Sequence, residues 1–151
     1  MLNNDIKMNR VDAFDKVTGK AKYPGDFDFS DQLIMKVLFS ERTHAIVKKV
    51  DYSKALKIAG VIDVFTSKDV PNNEFGLGKP DQPVLCGPDS NNGYGDRVRC
   101  VADKIAIIIA ESEEIAEIAR DAIEVEYEDL DSVTDVIRAF ESENVLLHPE
   151  L

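Results

Sequence analysis

Residues 33–40, Leu-Ile-Met-Lys-Val-Leu-Phe-Ser, are apolar almost without a break and carry β-branched and aromatic side chains. Strict alternation would mark a strand with one wet face, whereas a continuous run marks a strand buried on both. The run therefore predicts a central strand in a layered domain, with cover on each side. After the polar stretch Glu41-Arg42-Thr43-His44, residues 45–50 form a second strand that alternates less cleanly because Lys48 and Lys49 are adjacent.

Asp51 or Ser53 can cap a helix in which Ala55, Leu56 and Ala59 recur at helical spacing, and Gly60 stands where a left-handed residue ends helices. Val61-Ile62-Asp63-Val64-Phe65-Thr66 reads as the next strand, closed by the turn signal Asp69-Val70-Pro71. From 71 to 96, glycine, proline and asparagine leave room for a long loop with at most a short extended piece at 82–86. Such a loop has few apolar groups with which to fold on itself and is expected to lean on a neighbouring domain or subunit.

Residues 97–102 and 105–110 predict two strands meeting at a tight turn around Asp103. Ser112 is a good N-cap, Glu113 and Glu114 complement the dipole of the first turn, and Ile115, Ile118, Ala119, Ala122 and Ile123 make one apolar helix face. Glu124-Val125-Glu126-Tyr127-Glu128 alternates with period two, which puts its glutamates on a solvent face. A short last helix is expected over 135–140. Val145, Leu146, Leu147 and Leu151 follow without helical or strand logic and form the expected exposed apolar group, with self-association as its symptom. The order β-β-α-β, long loop, β-β-α-β makes an α+β domain with a mixed sheet and two main helices.

Length and charge bound the rest. A chain of 151 residues is expected to form one domain over 1–151, with a core that needs no disulfide or metal. Its net charge of −11 argues against nucleic acid and against an anionic membrane surface as partners. The apolar run 105–110 is far short of the roughly 20 residues that span a bilayer. The opening Met1-Leu2-Asn3-Asn4-Asp5 lacks a basic n-region and an apolar h-region, which predicts a cytoplasmic protein, and Cys86 and Cys100 fit inert reduced thiols there.

Chemistry-bearing motifs are sparse. Gly76-Leu77-Gly78 and Gly93-Tyr94-Gly95 lack a third glycine and open onto no helix, so both read as turns. Gly19-Lys20 and Gly78-Lys79 are followed by Ala21 and Pro80 rather than the hydroxyl a Walker loop needs. His44 and His148 have no second histidine or cysteine at metal-ligand spacing and read as polar or capping residues. Asp26 with Asp28, or Glu126 with Glu128, could pair on a strand face, but on an acidic domain they read as solvated charge. No residue is assigned a catalytic, cofactor-binding or metal-ligating role.

The string Arg10-Val11-Asp12-Ala13, Lys16-Val17-Thr18-Gly19-Lys20-Ala21-Lys22-Tyr23 and Asp26 resembles the opening of the a/b hammerhead domain of the xanthine dehydrogenase and aldehyde oxidase family. The likeness continues through His44-Ala45-Ile46, Gly60-Val61-Ile62-Asp63-Val64-Phe65-Thr66 and Asp69-Val70-Pro71, then Asp81-Gln82-Pro83-Val84-Leu85 and Val125-Glu126-Tyr127-Glu128-Asp129-Leu130. It departs from the family at Lys104 and at Glu41-Arg42-Thr43. The resemblance implies a molybdenum hydroxylase acting on purines, other heteroaromatics or aldehydes. In that family molybdopterin lies in domains downstream, together with the catalytic glutamate, and electrons leave through iron–sulfur and flavin partners. It further implies that this chain is an excised or truncated domain with a structural role and no cofactor of its own. The alternative is a free-standing interaction module that kept the hammerhead fold without the enzyme.

Overall fold

The computed structural model describes residues 10–90, 95–141 and 145–148. They fall into two compact units, Met1–Gln32 and Leu33–Leu151. In the first, helix α1 (Ala13–Val17) ends as Thr18 Oγ1 donates to the Phe14 carbonyl at 2.7 Å and Gly19 takes φ of 72°. A single 3-10 turn, Pro24–Asp26, follows, held by the Tyr23 N–H donating to Asp26 Oδ2 at 2.9 Å.

The second unit contains strands β1 (Ile34–Phe39), β2 (Ala45–Asp51), β3 (Val61–Phe65), β4 (Glu74–Phe75), β5 (Gln82–Pro83), β6 (Arg97–Val98) and β7 (Lys104–Ala110). Helix α2 (Glu113–Asp121), strand β8 (Glu124–Asp129) and helix α3 (Val136–Glu141) complete it. β1, β7 and β3 form one antiparallel sheet in that order, and β6, β2 and β8 form another. β4 and β5 make a two-stranded ribbon. The class is α+β.

α2 begins where Ser112 accepts from the Ile115 N–H at 3.3 Å. It lies on the β1–β7–β3 sheet, anchored at the edge by Lys36, which reaches Glu113 at 2.7 Å and Glu117 at 3.2 Å. Its buried residues include Ala116, Ala119 and, just beyond, Ile123, while Ile118 is exposed, contrary to the expected face. Ala116 and Ala119 follow the helical period through to Ile123, and their small side chains let the helix approach Ala106 and Ala110, which are buried as well.

One buried cluster joins Val64, Ala106, Ile108, Ala119 and Ile123. A second joins Val47, Cys86, Val98 and Ile105, and Leu38, Val50 and Val125 pack against both. Each fully buried Ile or Val here contributes about 1.5–3 kcal/mol of transfer free energy.

Four expectations need correction. The helix foreseen between Asp51 and Gly60 is only a 3-10 turn, Ala55–Lys57. The nine residues before β3 resumes pairing give a helix too few hydrogen bonds to offset its nucleus, and the Asp51 carboxylate is spent on the Ser53 N–H at 3.1 Å. The run 33–40 is not central: β1 is a sheet edge and β7 is the middle strand. The strand expected over 97–102 stops at Val98, because Asp103 Oδ2 accepts from the Arg99 and Cys100 N–H groups at 2.6 and 3.1 Å and turns the chain. β6 and β7 therefore serve different sheets instead of forming a hairpin.

The described residues of the long segment, 71–90 with 95 and 96, are also held by their own unit. Asn73, Leu85 and Cys86 are buried. The Cys86 N–H donates to Lys104 O at 2.6 Å, the Val84 N–H to Asn73 O at 2.7 Å, and Ser67 Oγ to Pro88 O at 2.7 Å.

Candidate functional site

The side chains that could carry chemistry are dispersed or already committed. His44 is buried, and its Nδ1 lies 2.6 Å from the Asp131 carbonyl oxygen. A carbonyl only accepts, so Nδ1 carries the proton and the ring ties the start of β2 to the end of β8. His148 lines a different cleft, of about 290 Å³, with Asp81, Arg99, Asp103 and Lys104. Burial pushes the Cys86 thiol up to about 12, and its Sγ donates to Arg97 O at 3.6 Å. Cys100 is exposed on the turn that Asp103 organises.

Asp26 caps its 3-10 turn and Asp28 is exposed. Glu126 stands opposite Lys49, and Glu128 pairs with Lys48, so these carboxylates belong to a solvated ionic ladder between β2 and β8. Gly76 and Gly78 sit in the tip joining β4 to β5, and Gly93 and Tyr94 lie outside the described residues. Three lysines, Lys48, Lys49 and Lys68, line a cleft of about 350 Å³, yet they are engaged by Glu128, Asp51 and the Tyr52 hydroxyl respectively. Among the described residues no three His, Cys, Asp or Glu side chains group as a metal site would require.

What the fold does build is a surface. In an antiparallel ladder paired residues share a face. On the α2 side lie Leu38 with Ala106, and Lys36 with Ile108 and Val64. The other side receives Val37 with Ile107 and Phe65, and Met35 with Ile109. This second face is open: Met35 is 59% exposed, Phe39 50% and Phe65 41%, with Val37, Ile107 and Ile109 half-buried between them.

An edge strand whose sequence is apolar on both sides, with one side bare, leaves a contiguous apolar area exposed. Leu146 and Leu147 are exposed as foreseen, whereas Val145 is half-buried and Leu151 lies outside the described residues; the two exposed leucines sit on a tail, while the sheet face is continuous across three strands. The sequence missed it because a run buried on both faces and a run buried on one face and open on the other look alike. The signal available was Met35, Val37 and Phe39 repeating at every second position.

Residues 18–131 match the pattern of the aldehyde oxidase and xanthine dehydrogenase a/b hammerhead domain. Over 151 residues the chain is 43% identical to a probable xanthine dehydrogenase subunit of Bacillus subtilis, covering 99% of this chain and 19% of that protein. It is 35% identical over 140 residues to the nicotinate dehydrogenase large molybdopterin subunit of Eubacterium barkeri, covering 92% of this chain and 31% of the relative. The solved aldehyde oxidoreductase from Desulfovibrio gigas superposes with a TM-score of 0.77 at 29% identity, over 93% of this chain and 16% of the other. The chain thus spans between about a sixth and a third of these three proteins. Two antiparallel sheets, one carrying α2 on one face and bare on the other, and a family pattern running through about three quarters of the residues make this chain a member of the aldehyde oxidase and xanthine dehydrogenase family, as its a/b hammerhead domain.

Proposed function

We propose that residues 1–151 serve as one hammerhead domain of the large, molybdopterin-holding polypeptide of a cytoplasmic oxidoreductase, and that the domain's role is to seat the cofactor-bearing remainder on its open sheet face. The observation that carries this is the bare apolar face of β1, β7 and β3 in a chain that is a fraction of its relatives' length. One domain is favoured because the family pattern runs from 18 to 131, across both compact units. The described side chains do not fit molybdopterin or an iron–sulfur cluster: the buried thiol is protonated, the two histidines line separate clefts, and no donor set converges. Hydroxylation of a purine, another heteroaromatic or an aldehyde, and electron passage through iron–sulfur and flavin partners, would belong to the rest of such an enzyme.

The test replaces the matching segment of the Bacillus subtilis relative with this chain. A Phe65→Cys reporter in a Cys100→Ser background is then labelled with a maleimide, in the chimera and in the separate chain. Labelling is expected to be fast in the separate chain, diluted until it sediments as a monomer, and at least about tenfold slower in the chimera, as burial of the site requires. Equal rates in both would overturn the docking role.

A further inference from the structure

Along its paired rows the open face carries two charged side chains, Lys104 opposite Phe39 at one end and Asp63 at the other. Asp63 pairs with Ile109 across the ladder, and Ile109 pairs with Met35 on its other side, so the carboxylate stands in the same row as Met35. Its neighbour Val64 points the opposite way, into the cluster of Ile108 and Ala119 beneath α2. The register breaks between Val61 and Asp63, and both Ile62 and Asp63 are exposed. A bulge does this by setting two residues of one strand against one of the other.

Among the described residues the Asp63 carboxylate accepts one hydrogen bond, from the Val64 N–H at 2.8 Å, and joins no ion pair. An ionised carboxylate can accept about four hydrogen bonds. Left in water, the other positions are hydrated at no cost. Covered by an apolar surface they would be stripped, and a buried carboxylate without a partner is among the most unfavourable groups an interface can hold. A surface that covers Met35, Ile109 and Phe65 must therefore bring a donor to Asp63. A guanidinium or ammonium supplies both the hydrogen bonds and the opposite charge.

We propose that Asp63 is the polar anchor of this face, met by an arginine or lysine on the apolar segment of the larger polypeptide that covers it, an inference that rests on the docking role proposed above. The competing role for an acid on β3, an edge strand, is to keep two copies of the chain from pairing edge to edge. The two roles have opposite consequences. An anchor matters once the face is covered; an edge guard matters in the free chain.

The experiment uses the same chimera with a Met35→Cys reporter in the Cys100→Ser background. Asp63→Lys is expected to bring maleimide labelling back to the rate of the separate chain, and Asp63→Asn to fall between. Charge reversal at one arginine or lysine of the remainder should restore protection to Asp63→Lys, which would identify the partner. Asp63 is exposed in the separate chain, so both variants should melt there as the parent does. If Asp63→Lys fails to fold, Asp63→Asn alone decides. Full protection retained in the Asp63 variants overturns the anchor and leaves the docking role standing. Labelling of the unmutated chimera at the free rate overturns the docking role itself. Stronger self-association of the separate Asp63→Asn chain than of the parent at the same concentration, with protection intact in the chimera, assigns Asp63 to edge guarding and also overturns the anchor.

Discussion

Asn73 and Leu85 exchange two hydrogen bonds: Asn73 Nδ2 donates to the Leu85 carbonyl at 2.8 Å, and the Leu85 N–H donates to Asn73 Oδ1 at 3.0 Å. Each residue is 1% exposed, so one amide side chain closes a buried backbone pair that no ladder reaches. Asn73→Ala leaves both backbone groups of Leu85 without partners, at about 1–3 kcal/mol apiece. A loss of roughly 3 kcal/mol in unfolding free energy, read from urea denaturation, is the expected result. A loss below about 1 kcal/mol would mean that water replaces the side chain.

Gly60 is fixed by two constraints at once. Its φ is 89°, and a Cβ built there would lie 2.6 Å from Ile115 Cδ1 of α2. Gly60→Ala is expected to cost at least about 1–2 kcal/mol from the left-handed backbone alone, before the contact with Ile115 is counted. The same urea titration tests it, and the variant Ile115→Val should recover part of the loss.

The two cysteines should separate by reactivity. At pH 8 Cys100 is expected to alkylate readily, while Cys86, buried and held up to about 12, stays unmodified in the folded chain. Because the folded value lies above the ordinary 9.0, this thiol contributes stability that is fully present below about 9 and is lost as pH rises toward 12. Mass spectrometry after iodoacetamide treatment, with and without urea, checks the first part; melting temperature across that alkaline range checks the second.

Asp51 shows the opposite sign. Hydrogen bonds from Ser53 and then the nearby Lys49 ammonium lower its carboxyl from 3.8 to about 2. The resulting stabilisation is present above about 3.8 and lost as pH falls toward 2. The carboxyl carbon of Asp51 should titrate near 2 in an NMR experiment, and Ser53→Ala should move its midpoint up toward 3.8.

The separate chain should associate through the sheet rather than through its tail. Met35→Ser with Phe65→Ser is expected to abolish concentration-dependent sedimentation, whereas Leu146→Ser with Leu147→Ser leaves it in place. All four positions are exposed, so the substitutions should change stability by no more than about 0.5 kcal/mol each. Equal behaviour of the two pairs would deny the sheet face any special role.

Where local chemistry decides, residues were readable before the fold. Ser112 caps α2, Glu124, Glu126 and Glu128 face outward from β8, and Asp135 Oδ1 accepts from the N–H groups of Ile137 and Arg138 at 2.9 Å to begin α3. Where long-range pairing decides, they were not. Ala55, Leu56 and Ala59 have helical spacing, but Tyr52 and Ile58 are drawn onto the core on either side of a single turn. Cys86 looked like part of an unsupported loop because its partner, the Lys104 carbonyl, comes from a distant strand. The open face was hidden for a different reason: an apolar pattern records that a side is to be covered, and says nothing of which polypeptide stretch covers it.

Three strands carry one residue more than their partners: Lys48 in β2, Ile62 in β3 and Ile105 in β7. Each extra residue resets the parity of its strand. Beyond Lys48, Val50 comes back to the side that Val47 occupies, and both meet the core. Ile105 is the surplus residue of β7 and is fully buried in the cluster of Val47, Cys86 and Val98, away from the side chains gathered under α2. Length variation among domains of this kind therefore has privileged places. A chain one residue shorter at Lys48 would keep every remaining side chain of β2 on its present side. A deletion at Ile46 would instead turn its neighbours inside out, so within these ladders the three extra residues are the internal positions where loss of one residue keeps the remaining side chains on their present sides.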